Sequence, residues 1–205
     1  MNYGFSRRRV IVVPAALAAA TAIGRGAGAA DEGPDAVVER LHALLTEVLR
    51  QAAVLGFEGR FQRLTEGLGS IYDFAIMTRL AVGDAWAGAG DEQRRRLVAA
   101  FRAMSAATYA RRFDAWADQG FAIVGQRMLD DGGVVIETLL HPGEGQEPVA
   151  LDYRLRQGED GWRVIDVYLT GTVSELATRR AEFAAVIRDQ GLDGLIAALE
   201  AKGRK

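Results

Sequence analysis

The spacing of apolar residues changes at Gly120, and this change constrains the fold more than any other feature of the sequence. Before Gly120, apolar side chains recur every three or four residues, as on the buried stripe of a helix. After it they alternate with polar side chains, which is the period of a half-buried strand. The helical period returns after Gly171. This order predicts an α+β domain, in which helices precede and follow a single sheet.

Four strands are predicted in the middle of the chain, at 121–129, 134–141, 148–157 and 162–170. The segments between them are turn sequences, at 130–133, 142–147 and 158–161. Connections this short join antiparallel neighbours, so the strands form a meander. We expect a curved, four-stranded antiparallel sheet with several helices packed on one face.

Helical spacing and end signals predict the helices on both sides of this sheet. They are 34–55, 58–68, a helix from Asp73 to Gly83, 91–117, 173–190 and 193–202. Asp73 and Asp91 are expected to cap the third and fourth helices. Thr172 and Glu175 have the spacing of a capping box for the fifth, and Gly191 is its expected end.

The first thirty residues have the three regions of a secretory signal peptide. Ser6-Arg7-Arg8-Arg9 precedes an apolar run, and small residues follow, so that cleavage is expected near Ala29 or Ala30. An uncleaved membrane anchor is the alternative, but the run is shorter than the roughly 20 strongly apolar residues that a span needs. We expect an exported, periplasmic protein with a single domain, 31–205. The arginines fit both Sec and twin-arginine export.

Composition excludes several classes of function. The chain has 25 Lys and Arg against 27 Asp and Glu, and residues 1–30 contain four of the arginines and no acid. The mature chain is therefore acidic, whereas a nucleic-acid-binding protein needs a basic field. A chain without cysteine has no disulfide, zinc–thiolate site or thiol nucleophile. No nucleic-acid partner is expected.

Asp166 is the polar exception on the apolar face of the predicted sheet. A two-residue turn after Gly158 places Tyr153 opposite Asp166 and Leu151 opposite Tyr168. In one interpretation Asp166 is a general base in a hydrophobic cone, with Tyr153 as the oxyanion donor. In the other it is a structural carboxylate that accepts hydrogen bonds from Tyr153, an indole or backbone N–H groups. The structural interpretation is favoured.

None of the other polar residues or motifs in the sequence predicts a catalytic centre. His42 and His141 have no metal-ligand partner at a recognisable spacing, so both are expected to be structural or surface residues. The runs Arg94-Arg95-Arg96 and Arg111-Arg112 are typical of a solvated helix face, and docking to an acidic partner or an anionic headgroup is the alternative. The mature chain contains no nucleophile elbow, HExxH motif, phosphate loop or dinucleotide fingerprint. We expect no enzymatic activity, cofactor or metal.

Two stretches resemble the MlaC/toluene-tolerance family, and the likeness covers about residues 70–202. The first lies between Phe74 and Phe113 and includes Gly83-Asp84-Ala85-Trp86 and Thr108-Tyr109-Ala110. The second is more specific and consists of Leu151-Asp152-Tyr153-Arg154-Leu155, Gly161-Trp162-Arg163-Val164-Ile165-Asp166-Val167, Gly171-Thr172-Val173-Ser174, Arg180-x-x-Phe183 and Gly191-Leu192-Asp193-Gly194-Leu195-Ile196. The family usually has Gly-Val-Ser where this chain has Gly171-Thr172-Val173-Ser174. The pattern is also similar to the hopanoid-associated HpnM branch.

The resemblance implies a periplasmic, phospholipid-binding auxiliary protein of an ABC transport system. Such a protein holds acyl chains between its sheet and its helices. It would shuttle phospholipid between an outer-membrane lipoprotein complex and an inner-membrane complex of an MCE-domain protein with an ABC transporter. A carrier of hopanoid or another polycyclic lipid is one alternative. An enzyme of the cone fold that uses Asp166 is the alternative from a different class.

A lipid pocket would be lined by the apolar face of the sheet and by the helix stripes that face it. The expected lining residues are Ile76, Leu80, Leu97, Phe101, Met104, Val149, Leu151, Tyr153, Val164, Tyr168, Val173, Leu176 and Phe183. Ordinary core packing produces the same pattern, so the sequence leaves a hollow core and a filled core equally open. Headgroups would lie at the rim, with little headgroup specificity.

Overall fold

The centre of the fold is an antiparallel sheet in which the strands pair in the order of the sequence. The computed structural model describes residues 32–113, 120–143 and 145–204. Within them the strands, in sheet order, are β1 (Gly120–Met128), β2 (Val134–His141), β3 (Val149–Gly158), β4 (Gly161–Leu169) and β5 (Val173–Ser174). The predicted α+β class and meander are confirmed. The two-residue strand β5 is an addition that was not predicted.

Helices precede and follow the sheet. They are α1 (Pro34–Arg50), α2 (Ala52–Ile71), α3 (Phe74–Val82), α4 (Ala85–Gly88), α5 (Asp91–Arg112) and α6 (Glu175–Arg204). In the described ranges, no helix is long and apolar enough to cross a membrane. The predicted signal peptide at 1–30, with its cleavage site, lies outside the described residues.

Two glycines break the helices at positions where the apolar period continues. The predicted helix 34–55 ends at Arg50, and α2 starts at Ala52 and is interrupted at Gly56, which has a φ of 58°. Gly191 has a φ of 70° inside α6, so the two predicted C-terminal helices are one element with a break between them. Glycine adopts this left-handed conformation at little cost because it has no Cβ.

Helix α5 differs from its prediction at both ends. Gly90, not Asp91, precedes its first turn, and the Gln93 side chain accepts a hydrogen bond from the Gly90 N–H at 3.2 Å. Asp91 lies in the first turn, where a negative charge suits the helix dipole. The helix ends at Arg112 instead of continuing to 117, and residues 114–119 lie outside the described ranges.

A hydrogen bond to strand β4 holds the start of α3. The Asp73 N–H donates to the Val164 carbonyl at 2.9 Å, and Tyr72 forms a parallel bridge with Val164. The Asp73 carboxylate accepts from the Ile76 N–H at 2.9 Å, which confirms Asp73 as the predicted cap. The loop before α3 thus extends the sheet beside β4 and positions the helix at its edge.

A β-bulge in β4 shifts the register of the last hairpin by one residue. Leu155 pairs with Val164, as a two-residue turn requires, but Arg154 pairs with Asp166, so Ile165 is the extra residue. The predicted pairing of Tyr153 with Asp166 is therefore wrong. Because side chains alternate between faces, a shift of one residue exchanges the residues that point to each face.

Helix α1 packs on the sheet through an apolar stripe that includes one histidine. His42 is 9% exposed, its ring stacks on Phe121 with centroids 4.7 Å apart, and it meets the Tyr153 ring edge-on at 5.6 Å. Its Nε2 atom is buried without a hydrogen-bond partner among the described residues. Burial lowers the pKa of His42 to about 4, so the ring is neutral in the folded protein.

His42 should make the protein less stable in mild acid. Its pKa is about 4 when folded, against about 6.5 in the unfolded chain. Between these values only the unfolded chain binds the proton, so the free energy of unfolding falls as the pH falls. The expected loss between pH 7 and pH 5 is about 2 kcal/mol. Urea unfolding at the two pH values measures it.

His42→Phe should remove this part of the pH dependence while keeping the ring contacts. His141→Phe is the matched control, because His141 is exposed at the end of β2. If His42→Phe lost as much stability between pH 7 and pH 5 as the unmodified protein does, buried neutral His42 would not be the cause.

Candidate functional site

A small apolar cavity lies where the helices meet strands β3 and β4. Its volume is about 110 Å³. Helix α3 contributes Phe74 and Met77, and the two strands contribute Leu151, Val167 and Leu169. Protein interiors are normally packed with few voids larger than a water molecule. A cavity of this size at the boundary of two layers is thus a distinct feature of this core.

One face of α5 forms a wall of the cavity. The residues on this wall follow helical spacing and are Phe101, Met104, Ser105, Thr108, Tyr109 and Arg112. The helix packs mainly against α2, α3 and α6. Its sheet-facing side therefore borders the cavity across from Val167 and Leu169.

Aromatic rings pack against one another around the apolar part of the cavity. Tyr72 stacks on Phe74 with centroids 5.5 Å apart. Phe101 meets Phe74 edge-on at 6.1 Å and Phe183 edge-on at 5.8 Å. Such pairs contribute about 0.5–1.5 kcal/mol each beyond their buried area, and they give the cavity a defined wall.

Three tyrosines place hydroxyl groups inside the protein, and none of these groups is charged. The Tyr72 and Tyr109 hydroxyls are 3.1 Å apart and share a hydrogen bond. The Tyr153 hydroxyl is also buried, and it has no hydrogen-bond partner among the described residues. Burial raises the pKa of all three phenols, so they are neutral at physiological pH.

The charged residues of the lining lie where α5 ends and α6 begins. We call this place the mouth, and it consists of Arg112, Glu175 and Arg179. Arg179 pairs with Glu175 at 3.4 Å and with Glu182 at 2.8 Å. Because an isolated charge is costly to bury, charges at the mouth and none in the interior are the expected arrangement.

The structure separates the predicted lining residues into four groups. Phe101, Met104, Leu151 and Leu176 border the cavity. The residues buried in the surrounding core are Leu97, Tyr153, Val164 and Phe183. Ile76 lines a neighbouring polar cleft of about 500 Å³ between α3, α5 and the β3–β4 turn, which shares Tyr72 and Phe74 with the cavity.

Four predicted lining residues lie away from the cavity. Leu80, Val149 and Val173 have exposed side chains. Tyr168 was expected opposite Leu151, but the bulge gives Leu151 the partner Leu169 instead. Tyr168 pairs with Asp152 and Ser174, and it is absent from the cavity wall.

Sequence reasoning did not assign the other twelve residues of the wall to the lining. The missed residues are Leu68, Tyr72, Phe74, Met77, Ser105, Thr108, Tyr109, Arg112, Val167, Leu169, Glu175 and Arg179. Those on α5 continue the stripe of Phe101 and Met104 at helical spacing, so the period alone could have identified them. Val167 and Leu169 were not predicted because the bulge changes which strand residues face the cavity. In the sequence, the bulge is visible only as a change in the alternation of apolar residues after the adjacent apolar pair Val164-Ile165.

The Asp166 carboxylate joins β4 to the start of α6. Asp166 is 6% exposed, and its Oδ1 accepts from the Leu176 N–H at 3.0 Å and from the Val167 N–H at 2.8 Å. Its Oδ2 accepts from the Ser174 hydroxyl at 2.6 Å, and the Ser174 oxygen accepts from the Ala177 N–H. Ser174 therefore caps α6 in place of the predicted box. The geometry supports a structural carboxylate, with Tyr153 not among its partners.

The arginine run at the start of α5 is engaged with the protein's own surface. Arg95 pairs with Glu92 at 2.6 Å and Arg96 pairs with Glu200 at 2.8 Å. Arg94 lies over the Trp86 ring at 5.6 Å. In the described part of the chain, no three His, Asp or Glu side chains lie together as metal ligands.

Comparison with known proteins identifies a family for this fold and site. The family model described as MlaC protein matches residues 39–201. The structure of a phospholipid-binding protein from Ralstonia solanacearum, solved in complex with a phospholipid, is similar, with a TM-score of 0.73 and 26% sequence identity. The match covers 84% of this chain and 98% of the other.

Asp166→Asn should destabilise the protein by about 2–3 kcal/mol. The carboxylate accepts three hydrogen bonds. An asparagine keeps one acceptor oxygen and turns an N–H₂ group toward a donor, and hydrogen bonds to charged groups contribute about 1.5–3 kcal/mol. Urea unfolding measures the loss.

Asp189→Asn on the exposed side of α6 is the control, and it should change the free energy of unfolding by less than about 0.5 kcal/mol. An Asp166→Asn variant as stable as this control would contradict the structural role.

Proposed function

The chain belongs to the MlaC protein family, and from this we propose that it is a periplasmic lipid carrier that encloses the acyl chains of a phospholipid between its helices and its sheet. The observation that carries the proposal is the apolar cavity bounded by Phe101, Met104, Leu151 and Val167, with its charges confined to the mouth. The similar protein from Ralstonia solanacearum binds a phospholipid, which supports this ligand class.

The cost of exposing acyl chains explains why such a carrier encloses them. A diacyl lipid has about thirty methylenes, and at roughly 0.8 kcal/mol each its exposure to water costs on the order of 24 kcal/mol. A protein that moves the lipid across an aqueous compartment must bury most of this surface throughout the transfer. Binding and enclosure are sufficient for that task, and no reaction is needed.

The cavity must widen before it can hold the acyl chains. Its volume of about 110 Å³ is smaller than a cavity of about 150 Å³ that binds benzene. Helix α5 packs mainly on other helices, so it can move away from β3 and β4 without breaking a strand ladder. Met77 and Met104 have flexible, unbranched side chains that adapt to a changed shape.

The carrier would act between two membranes. The predicted signal peptide at 1–30 would export it to the periplasm. There it would exchange phospholipid with an outer-membrane lipoprotein complex and with an inner-membrane MCE-domain/ABC transporter, the partners that the family resemblance implies.

Lipid extraction from the purified mature protein tests the proposal. Protein expressed with its export signal is isolated from the periplasm, extracted with organic solvent and analysed by mass spectrometry. We expect close to one phospholipid per protein molecule. A hopanoid or another polycyclic lipid in its place would reassign the ligand, and a protein that is empty and resists loading from phospholipid vesicles would overturn the carrier function.

Leu151→Glu should lower the amount of bound phospholipid roughly tenfold. Its side chain borders the cavity, so a carboxylate there displaces one or two methylenes of the ligand, at about 0.8 kcal/mol each. Val149→Glu is the control on the same strand, because Val149 is 38% exposed and lies outside the cavity. Equal lipid content in the two folded variants would show that the ligand does not occupy this cavity.

A further inference from the structure

Arg112 differs from the other cation at the mouth, because no ion-pair partner for it lies among the described residues. Arg179 is balanced by Glu175 and Glu182. Arg112 is the last residue of α5 and is exposed, and among the described residues no carboxylate lies within ion-pair distance of it. In the part of the chain that the structure describes, Arg112 is thus the cation of the mouth that has no carboxylate partner.

Arg112 lies beside the apolar part of the cavity. It lies one helical turn beyond Thr108 and Tyr109 on the wall that α5 presents to the cavity. Its charge also acts on Tyr109, where it opposes the rise of the phenol pKa that burial causes. Arg111 precedes it on the same helix but takes no part in the cavity lining.

A ligand with its acyl chains in the cavity must place its headgroup at this mouth. The wall from Phe101 to Tyr109 is uncharged at neutral pH, and the charged lining begins at Arg112. A guanidinium presents N–H donors in a planar fork that matches two oxygens of a phosphate. The lining therefore changes from apolar to cationic where a glycerolipid changes from acyl chain to phosphate.

We propose that Arg112 binds the headgroup phosphate of the carried lipid and makes the protein prefer phosphate-bearing diacyl lipids over neutral diacylglycerols. The proposal rests on the lipid-carrier function and adds a headgroup preference to it. It replaces the expectation of little headgroup specificity, and it assigns a ligand to one member of the Arg111-Arg112 pair.

Titration of the delipidated protein with two short-chain lipids tests this preference. Dihexanoyl phosphatidylglycerol and dihexanoylglycerol have the same acyl chains and differ in the phosphate. We expect calorimetry to show roughly tenfold tighter binding of the phospholipid, which corresponds to about 1.4 kcal/mol. Arg112→Gln should remove this preference, and Arg112→Lys should restore part of it.

Arg111→Gln is the matched control, because it removes the same charge from the same helix end without changing the cavity lining. It should keep the preference. An Arg112→Gln protein that discriminates between the two lipids as well as Arg111→Gln does would overturn the proposal. If the unmodified protein binds neither lipid, the carrier function itself fails.

Inorganic phosphate distinguishes a lipid headgroup from a free anion. A single exposed arginine should give no saturable phosphate binding at millimolar concentration, because an exposed ion pair contributes only about 0–1 kcal/mol. Saturable binding of phosphate that Arg112→Gln abolishes would mean that the residue serves a free-anion site, and the headgroup assignment would be wrong.

Discussion

The extra residue Ile165 in β4 determines which side chains of the sheet face the cavity. The bulge makes Arg154 the partner of Asp166 and gives Tyr153 the partner Val167. Val167 then borders the cavity, while the Asp166 carboxylate holds the first N–H groups of α6. Without the bulge, alternation would exchange these two side chains between the faces of the sheet. A carboxylate would then enter the apolar wall, and α6 would lose its anchor to β4.

The sequence was sufficient to predict the features that depend on a single segment of the chain. The α+β order, the meander and the Asp73 cap follow from spacing and turn residues within single segments. The bulge was missed because register depends on two strands together, and alternation along one strand shows only a change of phase. The boundary near Gly56 between the first two helices was predicted, but the earlier end of α1 at Arg50 was missed because apolar residues continue at helical spacing beyond it. The cavity itself was beyond prediction, since a filled core and a hollow core have the same pattern of burial.

A core that binds a lipid has to meet two opposite requirements, one when it is empty and the other when it is filled. A core open enough for acyl chains would expose apolar surface whenever it was empty, whereas a closed core cannot bind without moving. Here about 110 Å³ remains between β3–β4 and the helical layer. The two methionines and the aromatic pairs on its wall can repack as it fills. In the proposed carrier, part of the free energy of enclosing a lipid would therefore be used to separate these contacts.

The distribution of charge fixes the direction in which a lipid lies in such a carrier. The phenols of Tyr72 and Tyr109 remain neutral because burial raises their pKa values, so among the described lining residues the cavity wall beyond the mouth contains hydroxyl donors but no ions. A phosphate drawn into this interior would lose its hydration without a counter-ion, and that cost exceeds the gain from a few hydroxyl hydrogen bonds. At the mouth, water and Arg112 are both available to it. In the proposed carrier the acyl chains would therefore lie innermost and the headgroup at the end of α5.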